Sequence, residues 1–261
     1  MLVLTEIENG IATVTLNRPD KKNAMSLDLL AALVESCATL KGTEGLRAVI
    51  LTGAGDVFSA GIDVTMMMTL AGKLGDIKAM LADPDDTGAN PFQAPVTCWS
   101  GLPVPVIAAV EGLCFGAGMQ LALGADFRIV APATRMSIME AKWGLVPDMG
   151  ITQSLPKLMA ADKAKMLMMT GEEFTGTDAL GMGLATEVAD DPLARARQLA
   201  EMLSGKSPDA LAGSKRLVEE AWAGGEEALA LEAELQSALM GSPNQMEAVM
   251  ANMQKRPPKF G

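Results

Sequence analysis

The stretch VIAAVEGLCFGAGMQLA, Val106 to Ala122, decides the fold. Its first five residues, Val106 to Val110, are all apolar and partly β-branched, which predicts a buried strand. A turn punctuated by Gly112, Gly116, Ala117 and Gly118 follows, and a helix-like run begins near Met119-Gln120-Leu121. A strand, a small-residue turn and a helix start leave backbone N–H groups without partners, at the positive end of the helix dipole. Small residues let a ligand oxygen approach that backbone closely. The stretch therefore points to a site for negative charge, either phosphate or an oxyanion that develops during reaction.

The same pattern occurs once more upstream. Arg47 to Leu51 reads as a short buried strand, Thr52-Gly53-Ala54-Gly55-Asp56 as a glycine-rich break, and Val57-Phe58-Ser59-Ala60-Gly61-Ile62-Asp63 as the entry to a helix. Two such loops can each offer one N–H to a single oxygen. Before them, Leu2 to Leu16 predicts a hairpin turning at Glu8-Asn9-Gly10, and Asn17 to Ala24 a loop with Arg18, Lys21 and Lys22. Ser26 is placed to cap a helix carrying Leu29, Leu30, Leu33, Cys37 and Leu40. After the central stretch, Asp126 to Val130 and Met136 to Met139 predict further strands. Glu140 stands just past the second, with Asp148 after Pro147 in the same loop. A carboxylate at the end of a buried strand needs a partner or a function; a solvated or ion-paired Glu140 is the alternative from the residues alone. Leu184 to Val188 is the last strand candidate. Pro192 to Leu203, Pro208 to Trp222, Glu226 to Met240 and Pro243 to Gln254 read as helices bounded by Pro, Gly or Ser. The expected architecture is an α/β body over residues 1–191 with a helical region over 192–261.

Composition removes several classes of chemistry. The chain has 261 residues and no histidine, so neither a Ser-His-Asp nor a Cys-His nucleophile can be built, nor a His-ligated metal site; no metal is expected. It has no tyrosine, which leaves backbone N–H groups as the leading oxyanion donors. The net charge of −11 argues against general nucleic-acid binding. No apolar run reaches the length of a membrane span, and MLVLTEIENG has neither a basic region nor a cleavage pattern. Three scattered cysteines, Cys37, Cys98 and Cys114, fit reduced thiols in the cytoplasm. Met66-Met67-Met68 reads as core filling, or as a flexible lining for an apolar ligand.

LNRPDKKNAMS, FSAGIDV, PVPVIAAVEGLCFGAGMQLALGADFRI, IMEAKWGLVPDMG and TGEEFTGTDALGMGLATEV, in that order, together resemble the crotonase superfamily, the enoyl-CoA hydratase/isomerase family. The resemblance implies a spiral of strand-strand-helix units with a helical C-terminal region. It implies a homotrimer or dimer of trimers and an acyl-CoA thioester substrate that carries its own coenzyme A, with no further cofactor. It places the oxyanion donors at Ile62 and Ala117, and substrate contacts at Lys22, Ala24, Ala60, Gly61, Asp63 and Gly116. Hydratases of the family use two glutamates; the second corresponds to Glu140, whereas Gln120 stands at the first. A glutamine amide cannot take up a proton at neutral pH. Loss of that acid or base is expected to slow hydration on the order of 10²–10⁴-fold. The expected reaction is therefore double-bond isomerisation of an enoyl-CoA with Glu140 as acid–base and Asp148 as a helper. Hydration with altered water activation and acyl-CoA binding without turnover are the alternatives. A dinucleotide-binding loop at Gly116-Ala117-Gly118 is disfavoured, because Leu121 stands where the third glycine belongs.

Overall fold

The computed structural model describes residues 1–63, 65, 66, 74–222, 236, 238, 239 and 241–261. Strands β1 (Val3–Glu8) and β2 (Ile11–Leu16) form an antiparallel hairpin whose turn puts Asn9 and Gly10 at positive φ. The Ser26 hydroxyl accepts from Leu29 N–H and starts α1 (Leu27–Lys41), which buries Leu29, Leu30, Leu33, Cys37 and Leu40. Strand β3 (Ala48–Gly53) follows. Helices α2 (Leu74–Leu81) and α3 (Ala94–Thr97) lead to β4 (Val106–Val110), β5 (Leu113–Phe115) and α4 (Ala117–Leu123). Then come β6 (Phe127–Val130), β7 (Arg135–Ser137) and a 3-10 turn over Glu140–Trp143. Helices α5 (Ile151–Leu158) and α6 (Ala161–Thr170), β8 (Phe174–Thr175), α7 (Gly176–Gly181) and β9 (Glu187–Val188) complete the body. Helices α8 (Pro192–Ser204), α9 (Pro208–Trp222) and α10 (Pro243–Gln254) follow.

The strands form two layers. One sheet has the order β1-β2-β3-β4-β6-β9, parallel from β2 onward; the other has the order β5-β7-β8. Bridges from Ser59 to Cys114 and from Met25 to Ile62 continue the second layer beyond β5. The chain thus alternates between a strand in the first layer, a short extended piece in the second, and a helix. This step places the end of every second-layer piece beside the next one, which is how residues 60–62 come to lie against residues 115–117.

The large sheet is covered on both sides, which explains its unbroken apolar strands. Val49, Leu51, Val106, Ala108 and Val110 face the main core with α1, whereas Ala48, Ile50, Ile107, Ala109 and Ile129 pack under Ala196 and Ala200 of α8.

Some expectations shift. Leu113 to Phe115, expected within the glycine turn, is strand β5: three residues between glycines carry no visible period, and their pairing with β7 and Ser59 is non-local. The last strand shortens to Glu187–Val188 because the N–H groups of Leu184 and Ala185 both go to Ala179 O. Met67, Met68 and most of the expected helix Glu226 to Met240 lie outside the described residues; Gln236, Ala238 and Leu239 are helical. Among the described residues, no helix is long and apolar enough to cross a membrane.

Candidate active site

Two loops converge on one cavity, and buried side chains fix both. Asn23 is fully buried: its Oδ1 accepts Arg18 N–H at 2.9 Å, and its Nδ2 donates to Ala54 O (2.9 Å) and Val57 O (2.6 Å). The buried Ser59 hydroxyl donates to Asn23 O at 2.8 Å and accepts Gly61 N–H at 3.2 Å. Ala60 N–H donates to Lys22 O, and Met25 brackets the bridge by donating to Gly61 O and accepting from Asp63 N–H. Every amide from Ala60 to Asp63 is thereby committed except that of Ile62, which points to the other side of the ladder. Gly61 has φ +96°, and a Cβ there would stand 2.8 Å from Phe115 O. Only a glycine permits this approach of the two loops.

The second loop shows the same accounting. Phe115 N–H donates to Ser59 O, Gly116 N–H to Ser137 O, and Gln120 N–H to Gly116 O. The Ala117 amide, at the first position of α4, lies beyond the reach of any helical acceptor. Among the described residues, the N–H groups of Ile62 and Ala117 have no acceptor. Both residues line a cavity of about 360 Å³.

Ala60, Gly61, Ile62, Gly116, Ala117, Gln120, Glu140 and Asp148 all border that cavity; Lys22, Ala24 and Asp63 do not. Lys22 is exposed and contributes its carbonyl to the loop. Ala24 O receives Arg18 Nη1 at 2.7 Å. Asp63 pairs with Arg18 at 2.8 Å and accepts Thr65 N–H at 2.8 Å. The hydrogen bond from Arg18 chiefly holds its carboxyl below the usual carboxylate range. Arg18 is therefore not a loose cation of the basic loop: its charge is spent on Asp63. Met66, Ile77, Leu81, Phe92 and Trp143 supply apolar wall, whereas Trp99 is fully buried in the core with its Nε1 on Pro95 O.

The third part of the site is a side-chain relay. Gln120 Oε1 accepts Met149 N–H at 2.8 Å, and its Nε2 donates to Glu140 Oε1 at 2.8 Å. The Met149 amide fixes which end of the glutamine is oxygen, so the end facing Glu140 can only donate. Glu140 Oε2 is buried and, among the described residues, has no hydrogen-bond partner. Burial pushes the Glu140 carboxyl above the usual range, against the hydrogen bond from Gln120, and Asp148 adds to the rise. Asp148 is raised as well, by burial. A buried, basic, unsolvated carboxylate oxygen beside two free N–H groups suits proton transfer next to a carbonyl whose oxygen gains charge.

Asn23, Ser59 and the Met149 amide belong to this site without having been expected in it. Asn23 and Ser59 sit in polar loop text with no period to mark them, and Met149 acts through its backbone.

Residues 6–261 match the family model described as enoyl-CoA hydratase/isomerase. A Mycobacterium tuberculosis protein named "Probable enoyl-CoA hydratase echA6" is 32% identical over 260 residues, covering 100% of this chain and 99% of that protein. The peroxisomal Delta(3,5)-Delta(2,4)-dienoyl-CoA isomerase of Arabidopsis thaliana is 29% identical over 265 residues, covering 99% of this chain and 95% of the relative. An enoyl-CoA hydratase structure from Polaromonas sp. JS666 superposes with a TM-score of 0.89 at 28% identity, covering 99% of each chain.

Proposed function

The chain belongs to the enoyl-CoA hydratase/isomerase family, and from that premise we propose that it moves the double bond of a 3-enoyl-CoA to the 2-position, with Glu140 as the single acid–base. The observation that carries the proposal is the arrangement at Glu140. One oxygen is pinned by an amide that cannot exchange a proton, and the other is buried in the cavity wall with no partner among the described residues.

In this mechanism the thioester oxygen accepts the N–H groups of Ile62 and Ala117. Glu140 Oε2 takes a proton from C2, the electron pair moves to give the dienolate, and the same oxygen returns the proton to C4. No water is consumed and no net proton is exchanged. Each aligned N–H donor is worth roughly 3–4 kcal/mol of barrier. The raised basicity of Glu140 brings it nearer the pKa that efficient proton transfer requires. The proposal includes assembly as a homotrimer or dimer of trimers in the cytoplasm, and no cofactor beyond the coenzyme A of the substrate.

Asp148 favours a second reading. It borders the same cavity and also has a raised pKa, so two carboxyls face the acyl chain, as a conjugated dienoyl-CoA isomerisation would use. Turnover of 3-enoyl-CoA, 3,5-dienoyl-CoA and 2-enoyl-CoA by the wild type and by Glu140→Gln separates the outcomes. Conversion of 3-enoyl-CoA that Glu140→Gln abolishes supports the proposal. Fast hydration of 2-enoyl-CoA without isomerisation overturns it, as does tight acyl-CoA binding with no turnover.

A further inference from the structure

The first turn of α4 carries both Ala117, whose N–H is offered to the thioester oxygen, and Gln120. Gln120 N–H donates to Gly116 O, which closes that turn. The Gln120 side chain is fully buried and both of its ends are occupied: Oε1 accepts the N–H of buried Met149, and Nε2 donates to Glu140 Oε1, each at 2.8 Å. The loop backbone packs on the same oxygen, because a Cβ at Gly116 would stand 3.3 Å from Glu140 Oε1. Met149 closes a loop that carries Asp148 and is bounded by Gly144 (φ +71°) and Gly150 (φ +86°). At its start Leu145 N–H donates to Glu140 O at 3.1 Å; at its end Met149 N–H goes to Gln120. Leu145, Val146, Asp148 and Met149 all line the enoyl cavity.

We infer that Gln120 is a positioning residue with two partners: it holds Glu140 so that Oε2 alone meets the substrate, and it fastens the Asp148 loop to the helix that bears the Ala117 donor. The inference rests on the proposed isomerisation and adds what sets its geometry. Base and oxyanion donor hang on one helical turn, so the spacing between the proton acceptor and the thioester oxygen is fixed before substrate enters. The same amide serves the charge state of the base. Its N–H favours the ionised carboxyl over the protonated one, whereas burial, chiefly, and Asp148 act the other way. Of the described residues in the cavity wall, Glu140 and Asp148 carry the ionisable groups. The helix α4 has no charged residue. Packed on the Glu140–Trp143 turn, α6 carries Asp162, Lys163 and Lys165, all outside that wall, and Lys142 of the turn is exposed.

Two variants separate the partners. Gln120→Met fills the space but makes neither hydrogen bond; Gln120→Glu can still accept Met149 N–H but offers no N–H to Glu140. The measurements are the pH profile of kcat/KM with 3-enoyl-CoA, infrared titration of the Glu140 carboxyl (the band that Glu140→Gln lacks), and hydrogen exchange of the peptide spanning Leu145 to Met149. In Gln120→Met the acid limb and the infrared midpoint should both rise by about one to two pH units, the effect of losing one hydrogen bond to a charged group. In Gln120→Glu they should rise at least as far, because two carboxyls in contact share a proton. Loop exchange should speed up about tenfold in Gln120→Met and stay near wild type in Gln120→Glu. A loss of kcat/KM that is equal at every pH, with limb and midpoint unmoved, overturns the inference, as does wild-type loop exchange in Gln120→Met. A wild type that does not convert 3-enoyl-CoA overturns the reaction instead; the infrared midpoint and loop exchange then still decide the role of Gln120.

Discussion

At the scale of single residues, the site turns on the two oxygens of Glu140. Oε1 is held by Gln120, and Oε2 is buried with no partner among the described residues, so substitution separates chemistry from packing. Glu140→Gln keeps the shape and leaves an oxygen to accept from Gln120 but cannot carry a proton; kcat for isomerisation should fall on the order of 10²–10⁴-fold. Stability should move the other way. A carboxyl whose pKa is raised on folding favours the folded state while protonated and disfavours it as pH rises through the raised value. Glu140→Gln should therefore be at least as stable as wild type in urea unfolding at neutral pH; marked destabilisation would mean that the ionised carboxylate supports the fold. The same shift fixes the pH–rate profile. As the base must be ionised, kcat/KM should decline on acidification with a midpoint above the ordinary carboxylate range, and Glu140→Gln should lack that limb. A midpoint at or below the ordinary range would contradict the desolvated environment.

At the scale of elements, what matters is how closely the 59–62 and 115–118 pieces meet. A Cβ at Gly118 would lie 2.7 Å from Ser59 Cβ, and one at Gly61 would lie 2.8 Å from Phe115 O in a positive-φ backbone. Gly118→Ala and Gly61→Ala should each destabilise by about 1–3 kcal/mol through overpacking and strain. Each should also lower kcat more than it raises KM, because it moves the Ile62 and Ala117 amides apart. Circular-dichroism melts and steady-state kinetics check both parts, and unchanged kcat in a folded Gly61→Ala protein would remove this pair of amides from the mechanism. These pieces also show what sequence can tell. The strand-loop-helix units at Val49–Ile62 and Val106–Gln120 are legible because burial on both faces writes an unbroken apolar run and the close approach writes glycine. The ends of α1, α9 and α10 are legible because Ser26, Pro208 and Pro243 mark them locally. β5 and β8 are not, since two or three residues show no period and their partners lie far along the chain. Asn23 and Ser59 are silent for a related reason: each holds backbone carbonyls and amides, which every sequence has.

At the scale of the whole molecule, the C-terminal helices are joined to the strand body by a buried ion pair as well as by α8. Lys215 of α9 reaches Asp126 Oδ2 at 2.9 Å, with both side chains largely buried, and also donates to Trp99 O and Val104 O at 3.1 and 3.2 Å. Asp126 in turn accepts Val106 N–H, the first amide of β4, at 2.7 Å. Burial pushes the Asp126 carboxyl up even though Lys215 opposes the rise, so the carboxylate stays charged only at a desolvation cost that the lysine offsets. Lys215→Met keeps most of the volume but strands that charge and removes the donor to Val104 O, whereas Trp99 O keeps the N–H of Leu102. The expected loss is about 3–5 kcal/mol, the range found when one partner of a buried pair is removed. Adding Asp126→Asn should restore part of it, because the remaining group is then neutral and can still accept Val106 N–H. Urea unfolding of the two single variants and the double variant measures the coupling directly. A loss below about 1 kcal/mol for Lys215→Met is the range of a solvated surface pair. It would mean that the Lys215–Asp126 pair does not hold α9 to the body, and that the entry to β4, the strand leading into the Ala117 loop, does not depend on this contact with the C-terminal region.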